Sequence, residues 1–178
     1  MKKIITIAGT NSQKSINKRL LSYTSGLLEN VELISIDLND YVLPIYGVDF
    51  EDENGIPTAV KRLNEVFDKA DGFIVALAEH NGTYTAVFKN TLDWLSRTNI
   101  KVWRDLPTLL MATSPGGRGG ATVLQAAVSY FPFLSAKVVA DFSLPSFFDN
   151  FSENEISDEE LHEELSRKIQ IFNQHFNN

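Results

Sequence analysis

Short apolar runs alternate with helix-period segments along this chain, and that alternation constrains its fold more than any other feature. Residues 4–8 (IITIA), 73–78 (FIVALA), 108–113 (TLLMAT) and 137–142 (KVVADF) are compact apolar runs of strand length. Between and after them lie segments with helical spacing: 17–28, 58–69, 84–97, 121–130 and 159–176. In 58–69, Val60, Leu63, Val66 and Phe67 share one face; in 159–176, Leu161, Leu165, Ile169 and Phe172 recur at threes and fours. A further run, 31–38 (VELISIDL), is mostly period-two. Five strands, each followed by a helix, predict a parallel sheet covered on both faces. The alternating second strand suits an edge, which a doubly wound sheet of order 2-1-3-4-5 provides. No internal repeat or second domain is expected, so residues 1–178 read as one domain. The irregular stretches 39–57 and 143–158 read as surface loops.

Composition removes whole classes of chemistry. The chain has no cysteine, which excludes disulfide frameworks, thiolate metal sites and cysteine nucleophiles. Its histidines, His80, His162 and His175, are far apart in sequence, so no metal site is expected. A net charge of −7 argues against gripping nucleic acid, because phosphate backbones are held by clustered Lys and Arg. The apolar run at 4–8 is too short for a signal-peptide core, and no stretch reaches the ~18 apolar residues of a membrane span. No membrane partner is expected, and a cytoplasmic location follows as the default.

An open α/β sheet binds ligands beyond the carboxyl ends of its strands, where the strand order reverses. The loops after strands one, three and four line that crevice, and they are the unusual places in this sequence. The first, Gly9-Thr10-Asn11-Ser12-Gln13-Lys14-Ser15-Ile16-Asn17, sets small hydroxyl and amide side chains before a helix start. It suits a phosphate, through backbone N–H groups and the helix dipole, and equally a plain helix cap at Ser15 or Asn17. The second, Glu79-His80-Asn81-Gly82-Thr83-Tyr84, has polar groups that could meet a heteroaromatic ring, or could form a simple polar turn. The third, Ser114-Pro115-Gly116-Gly117-Arg118-Gly119-Gly120, has four glycines in seven residues. Ordering such a segment is entropically costly, and it is expected where a ligand lies on bare backbone or where φ is positive. Together the loops suit one flat aromatic ligand that bears a phosphate, and FMN fits that description.

On these segments the chain resembles the NAD(P)H-dependent FMN reductase family, flavodoxin-like enzymes that include azobenzene and chromate reductases. The family's Gly-Ser-x-Arg-x-x-Ser-x-Asn phosphate loop is matched by Gly9 to Asn17, with Thr10, Ser15 and Asn17 in place and Ser12 where the family has arginine. Its Pro-Glu-Tyr-Asn-Gly-Ser segment corresponds to Ala78 to Thr83, with His80 replacing the tyrosine. The Lys-Asn-x-x-Asp-Trp-Leu-Ser-Arg helix is intact from Lys89 to Arg97, and the Ser-Pro-Gly-Gly-x-Gly-Gly loop from Ser114 to Gly120. The resemblance implies an α/β flavodoxin-like sheet of order 2-1-3-4-5. It implies FMN held by Thr10, Ser12, Ser15, Ile16, Asn17, Glu79, His80, Asn81, Gly82, Ser114, Pro115, Gly116 and Gly117. It further implies NADPH or NADH as electron donor and a small-molecule acceptor of quinone, azo, metal-ion or free-flavin type, served in ping-pong order. No side chain of the protein is expected to act as a catalytic acid or base, because the chemistry belongs to the flavin.

A subunit contact beside the flavin site is expected, as a homodimer or homotetramer, with Lys89 and Asp93 read as pairing across it. The departure at Ser12 matters, since arginine offers a fixed charge and a planar fork. Its loss is worth ~1.5–3 kcal/mol, roughly ten- to hundredfold in affinity, with Lys14 or Lys18 as candidates to supply a charge instead. The alternative reading is a flavodoxin-like interaction module that lacks efficient turnover. Phosphorelay receivers share the sheet order, but strand one ends in Ala8-Gly9, without an acidic pair for magnesium.

Overall fold

The computed structural model describes residues 1–176. Five strands, β1 (Lys2–Ala8), β2 (Val31–Ile36), β3 (Gly72–Leu77), β6 (Leu106–Thr113) and β7 (Ala136–Leu144), form the central sheet. Two small hairpins add β4 (Glu79–His80) with β5 (Thr83–Tyr84), and β8 (Phe151–Ser152) with β9 (Glu155–Ile156). The helices are α1 (Ile16–Gly26), α2 (Val48–Asn54), α3 (Thr58–Phe67), α4 (Ala86–Thr98), α5 (Ala121–Tyr130), α6 (Phe147–Asn150) and α7 (Glu159–Gln174).

The sheet order is β2-β1-β3-β6-β7 and every pairing in it is parallel, which is the expected doubly wound flavodoxin-like arrangement. Successive side chains of a strand point to opposite faces, so each apolar run feeds two cores. Ile5, Ile7, Phe73, Val75, Leu77 and Leu110 face α3, α4 and α5. Ile4, Ile74, Ala76, Leu109 and Met111 face α1 and α7, where Leu20, Leu165, Ile169 and Phe172 meet them. Continuous hydrophobicity is thus what a strand buried on both faces requires. The edge strand β2 behaves differently: Leu33 on it remains 43% exposed, and its alternation marks one free side.

Several boundaries differ from the sequence reading. β6 starts at Leu106 and β7 runs from Ala136 to Leu144, because their parallel pairing extends from Leu106–Ala136 to Thr113–Leu144, past the apolar runs. β7 also carries an irregularity: Val139 is skipped between the Thr108–Val138 and Leu109–Ala140 pairs. The stretches read as loops contain structure of their own. In 39–57 lies α2, which buries none of its residues and so lacks an apolar signature. In 143–158 lie α6 and the β8–β9 hairpin. Trp103, stacked on Phe131 with centroids 4.7 Å apart, closes the core below β6 at the sheet end remote from the crevice. No helix among the described residues is long and apolar enough to cross a membrane.

Candidate functional site

The loops after β1, β3 and β6 meet at the carboxyl edge of the sheet, and hydrogen bonds from side chains or backbone hold each in place. Gly9 N–H donates to the Ala76 carbonyl (2.8 Å), and the Gly9 carbonyl accepts from Thr85 Oγ1 (2.8 Å). A Cβ at Gly9 would stand 3.1 Å from the Phe88 ring, a tight approach that any side chain here would meet by shifting Phe88 on α4. Thr85 also caps α4, accepting from Phe88 N–H.

Beyond Gly9 the loop turns through Thr10, whose buried hydroxyl accepts from Ser12 N–H (3.1 Å). Ser15 caps α1, accepting from Lys18 N–H (3.3 Å). The cap reading and the phosphate reading are therefore compatible, since a capped helix start keeps its remaining N–H groups for a ligand. The N–H groups of Asn11, Gln13, Lys14, Ser15, Ile16 and Asn17 make no hydrogen bond among the described residues. Ser12 and Lys14 are exposed, while Ile16 is half-buried. Asn17 is almost wholly buried and its amide bridges loops: Oδ1 accepts from Thr113 N–H (3.0 Å), and Nδ2 donates to the Thr113 carbonyl (3.1 Å). Its side chain locks the first loop to the end of β6.

The segment after β3 is a two-residue hairpin. Glu79 pairs with Tyr84 and His80 with Thr83, leaving Asn81 and Gly82 at the turn with φ of 51° and 78°. Asn-Gly is the favoured pair for such a turn, because both positions need positive φ. His80 and Asn81 are exposed on it. Glu79, a carboxylate at the end of an apolar strand, finds its partner in α5: Oε2 accepts from Val123 N–H at 2.9 Å. An anion at a helix start is favourable, and here it also fastens the hairpin to the helix that follows the glycine loop.

The glycine loop is divided between packed and open positions. Gly119 and Gly120 have φ of 57° and 75°. A Cβ at Gly119 would lie 2.4 Å from Ser143 Oγ and 2.9 Å from the Leu144 carbonyl, and one at Gly120 would lie 2.9 Å from Ala112. Gly116 and Gly117 have free space instead, with nothing nearer than Ser146 Oγ at 4.0 Å. Their carbonyl side is braced: Gly116 O accepts from Gly119 and Ser146 N–H, and Ser114 O from Phe147 N–H. Their N–H groups have no partner among the described residues. Pro115 is exposed beside them, and Arg118 donates to Thr122 Oγ1 (2.9 Å).

The residues named from the sequence therefore lie on three loops at one edge of the sheet, cross-linked by Asn17 to Thr113 and by Glu79 to Val123. Ser12, His80, Asn81, Pro115, Gly116 and Gly117 lie open at that edge, and Thr10, Asn17 and Glu79 hold the loops in register. Sequence reasoning missed Thr85, Ser143, Ser146 and Phe147. Thr85 carried a signal, a Thr at the start of a helix-period segment; Ser143 at the end of β7, and Ser146 and Phe147 at the start of α6, lie far along the chain and carried none. Lys18 is not free to serve the loop, because its ammonium is paired with Asp37 at 2.7 Å. Lys89 and Asp93 pair with each other along α4 at 2.6 Å, where a pairing between subunits had been expected. A cavity of ≈ 290 Å³ adjoins the first loop, lined by Asn11, Asn39, Tyr41, Ile45, Val87 and Asn90, among others.

A parallel doubly wound sheet with an amide-rich, open crevice at its switch point defines the flavodoxin-like class of nucleotide-cofactor proteins. Comparison with known proteins narrows the class. Residues 2–149 match the family model of NADPH-dependent FMN reductases, and the chain belongs to that family. A quinone reductase of Escherichia coli K12 is 27% identical over 157 residues, 86% of this chain and 80% of that one. An NAD(P)H-dependent FMN reductase of Pseudomonas aeruginosa is 32% identical over 120 residues, 67% of this chain and 63% of that one. Among solved structures, the flavoenzyme NAD(P)H:(acceptor) oxidoreductase FerB of Paracoccus denitrificans shares the fold at a TM-score of 0.76 and 21% identity, over 98% of this chain and 99% of that one. The chain is accordingly an NAD(P)H-dependent oxidoreductase with FMN as its cofactor. The crevice fits that group: Gly116 and Gly117 leave bare amides where any side chain would stand, and the start of α1 keeps unpartnered N–H groups for an anion.

Proposed function

We propose that this chain passes reducing equivalents from NADPH or NADH, through FMN bound in the crevice, to a small-molecule acceptor of quinone, azo, metal-ion or free-flavin type, with donor and acceptor using the same space in ping-pong order. The reading assigns the flavin phosphate to Thr10, Ser12, Ser15, Ile16 and Asn17. It sets the ring against Glu79, His80, Asn81 and Gly82 on one side and Ser114, Pro115, Gly116 and Gly117 on the other. FMN, when bound, would supply the redox chemistry, a capacity for hydride and electron transfer that the side chains of this chain lack.

The protein's part is placement and electrostatics. The observation that carries the reading is the pair of unpartnered N–H groups at Gly116 and Gly117, in open space and braced from behind by Ser146 and Phe147. Fixed donors of this kind favour an electron-rich ring edge without reorganising when the charge arrives. Glu79, already bonded to Val123 N–H, positions the hairpin, and His80 stands exposed to pack beside the ring.

The reading places the whole activity in one domain, in the cytoplasm, and in a homodimer or homotetramer. The segment after β2 supports the last point. Val42 and Ile45 are 83% and 86% exposed, yet the segment is pinned to α4: the Pro44 carbonyl accepts from Asn90 Nδ2 (2.9 Å) and Trp94 Nε1 (2.8 Å). Apolar side chains held rigidly outward are suited to a subunit contact.

The test is a titration of the purified chain with FMN, following quenching of flavin fluorescence. Saturable binding of one flavin per chain, followed by NAD(P)H-driven reduction of a quinone, is the expected result. Absence of flavin binding would overturn the reading and leave the interaction-module alternative.

A further inference from the structure

The phosphate loop lacks the family's arginine, and the chain carries three cations within it and in the first helical turns: Lys14, Lys18 and Arg19. Arg19 is directed elsewhere, its guanidinium 5.1 Å from the ring centres of both Phe147 and Phe151. Lys14 is exposed and makes no hydrogen bond among the described residues. Lys18 stands in the first turn of α1, where its own N–H already bonds the Ser15 hydroxyl. Its ammonium, however, is paired with Asp37 Oδ2 at 2.7 Å, with side chains only 24% and 38% exposed.

The Asp37 carboxylate is itself held in place. Oδ1 accepts from Asn39 N–H (3.0 Å) and Asn39 Nδ2 (2.8 Å), and the same Asn39 amide donates to the Asn11 carbonyl of the phosphate loop (3.2 Å). The end of β2 and the phosphate loop thus form one hydrogen-bonded unit. Partial burial works to raise the Asp37 carboxyl, but the hydrogen bonds from Lys18 and Asn39 outweigh it and hold it below its ordinary range. It is anionic at neutral pH, and through Asn39 the neutralised Lys18–Asp37 pair, in place of a free ammonium, is joined to Asn11 of the loop.

Resting on the FMN reading above, we propose that Asp37 is a specificity-determining residue: by keeping the Lys18 ammonium to itself, it lowers the preference of this site for FMN over riboflavin, the same ring without the phosphate. The backbone N–H groups still attract the phosphate, but the charge-assisted contact is withheld. Weak phosphate selectivity suits a site whose flavin exchanges, in keeping with free flavin among the proposed acceptors.

The test titrates the full chain and two variants with FMN and, separately, with riboflavin. Asp37→Asn keeps an oxygen for the Asn39 donors while releasing Lys18. It is expected to tighten FMN about tenfold, the size of one charged hydrogen bond, and to leave riboflavin unchanged. Adding Lys18→Met to that variant should return FMN affinity to the wild-type value. Unchanged FMN affinity in Asp37→Asn overturns the proposal. So does a gain that survives Lys18→Met, which would mean that removing the carboxylate acted alone, and so does a parallel shift for riboflavin. Wild-type protein that takes neither flavin overturns the underlying reading and this proposal with it, whereas wild-type binding with an unmoved Asp37→Asn overturns this proposal alone.

Discussion

The two loops that flank the crevice solve the same problem in opposite ways. The loop after β6 is tied down by backbone: Gly119 and Gly120 pack against β6 and β7, and Ser146 and Phe147 N–H groups hold its carbonyls. The loop after β1 is tied down by side chains, through Thr10, Ser15, Asn17 and the Asp37–Asn39 latch. A loop held by its backbone depends on its residues being glycine. A loop held by side chains can do without one of its members, such as the arginine that the resemblance implies at Ser12, provided the rest keep it in shape.

Substitutions within each loop break or sharpen this contrast. The largest expected effect is that of Gly119→Ala, where a positive φ and a Cβ 2.4 Å from Ser143 Oγ combine to cost ~2–4 kcal/mol of folding stability, read from urea unfolding. Gly116→Ala, a few residues away in open space, should leave the unfolding midpoint within ~0.5 kcal/mol while weakening flavin binding. Equal destabilisation by the two would erase the distinction between packed and open glycines.

In the first loop, Ser15→Asp retains a cap for α1 but sets an anion against the phosphate. FMN binding should fall at least about a hundredfold, with the fold intact by circular dichroism. Restoring the family residue by Ser12→Arg should tighten FMN about tenfold, a smaller effect of opposite sign. Weaker binding in that variant would mean that this loop presents its donors in a different way.

The smallest expected effect concerns Tyr84, under the hairpin, whose buried hydroxyl has no hydrogen-bond partner among the described residues. Tyr84→Phe removes an unsatisfied group and should stabilise the chain by up to ~1 kcal/mol at neutral pH. Burial, with the nearby Tyr130, pushes the Tyr84 hydroxyl from 10.0 up to about 12. The fold therefore favours the neutral form, and stability that is complete below pH 10 should decline as pH rises from there towards 12. The decline in unfolding midpoint over that window should be shallower in Tyr84→Phe.

Legibility follows the same division. The glycine loop was readable because its conformation lies in residue type: four glycines before a helix, two of which take the positive φ expected of them. The hydroxyl and amide positions of the first loop were readable as candidates, yet their division of labour was not. The Asn17 side chain clamps Thr113 in addition to the ligand role read for that position, and the Lys18 ammonium belongs to Asp37. Glu79 stood out as a carboxylate at an apolar strand end, but its partner, Val123 N–H, lies 44 residues further on.

By itself the sequence determined the five parallel strands and their order, the edge position of β2, and which strand ends carry the glycine- and amide-rich loops. It could do so because burial on two faces, or on one, writes itself into local hydrophobic period. Only the tertiary structure decided which polar groups are spent on holding the crevice together and which stay free to meet a ligand. Those choices rest on hydrogen bonds and ion pairs between residues 19 to 96 positions apart, formed where the strand ends happen to meet, and no local pattern records them.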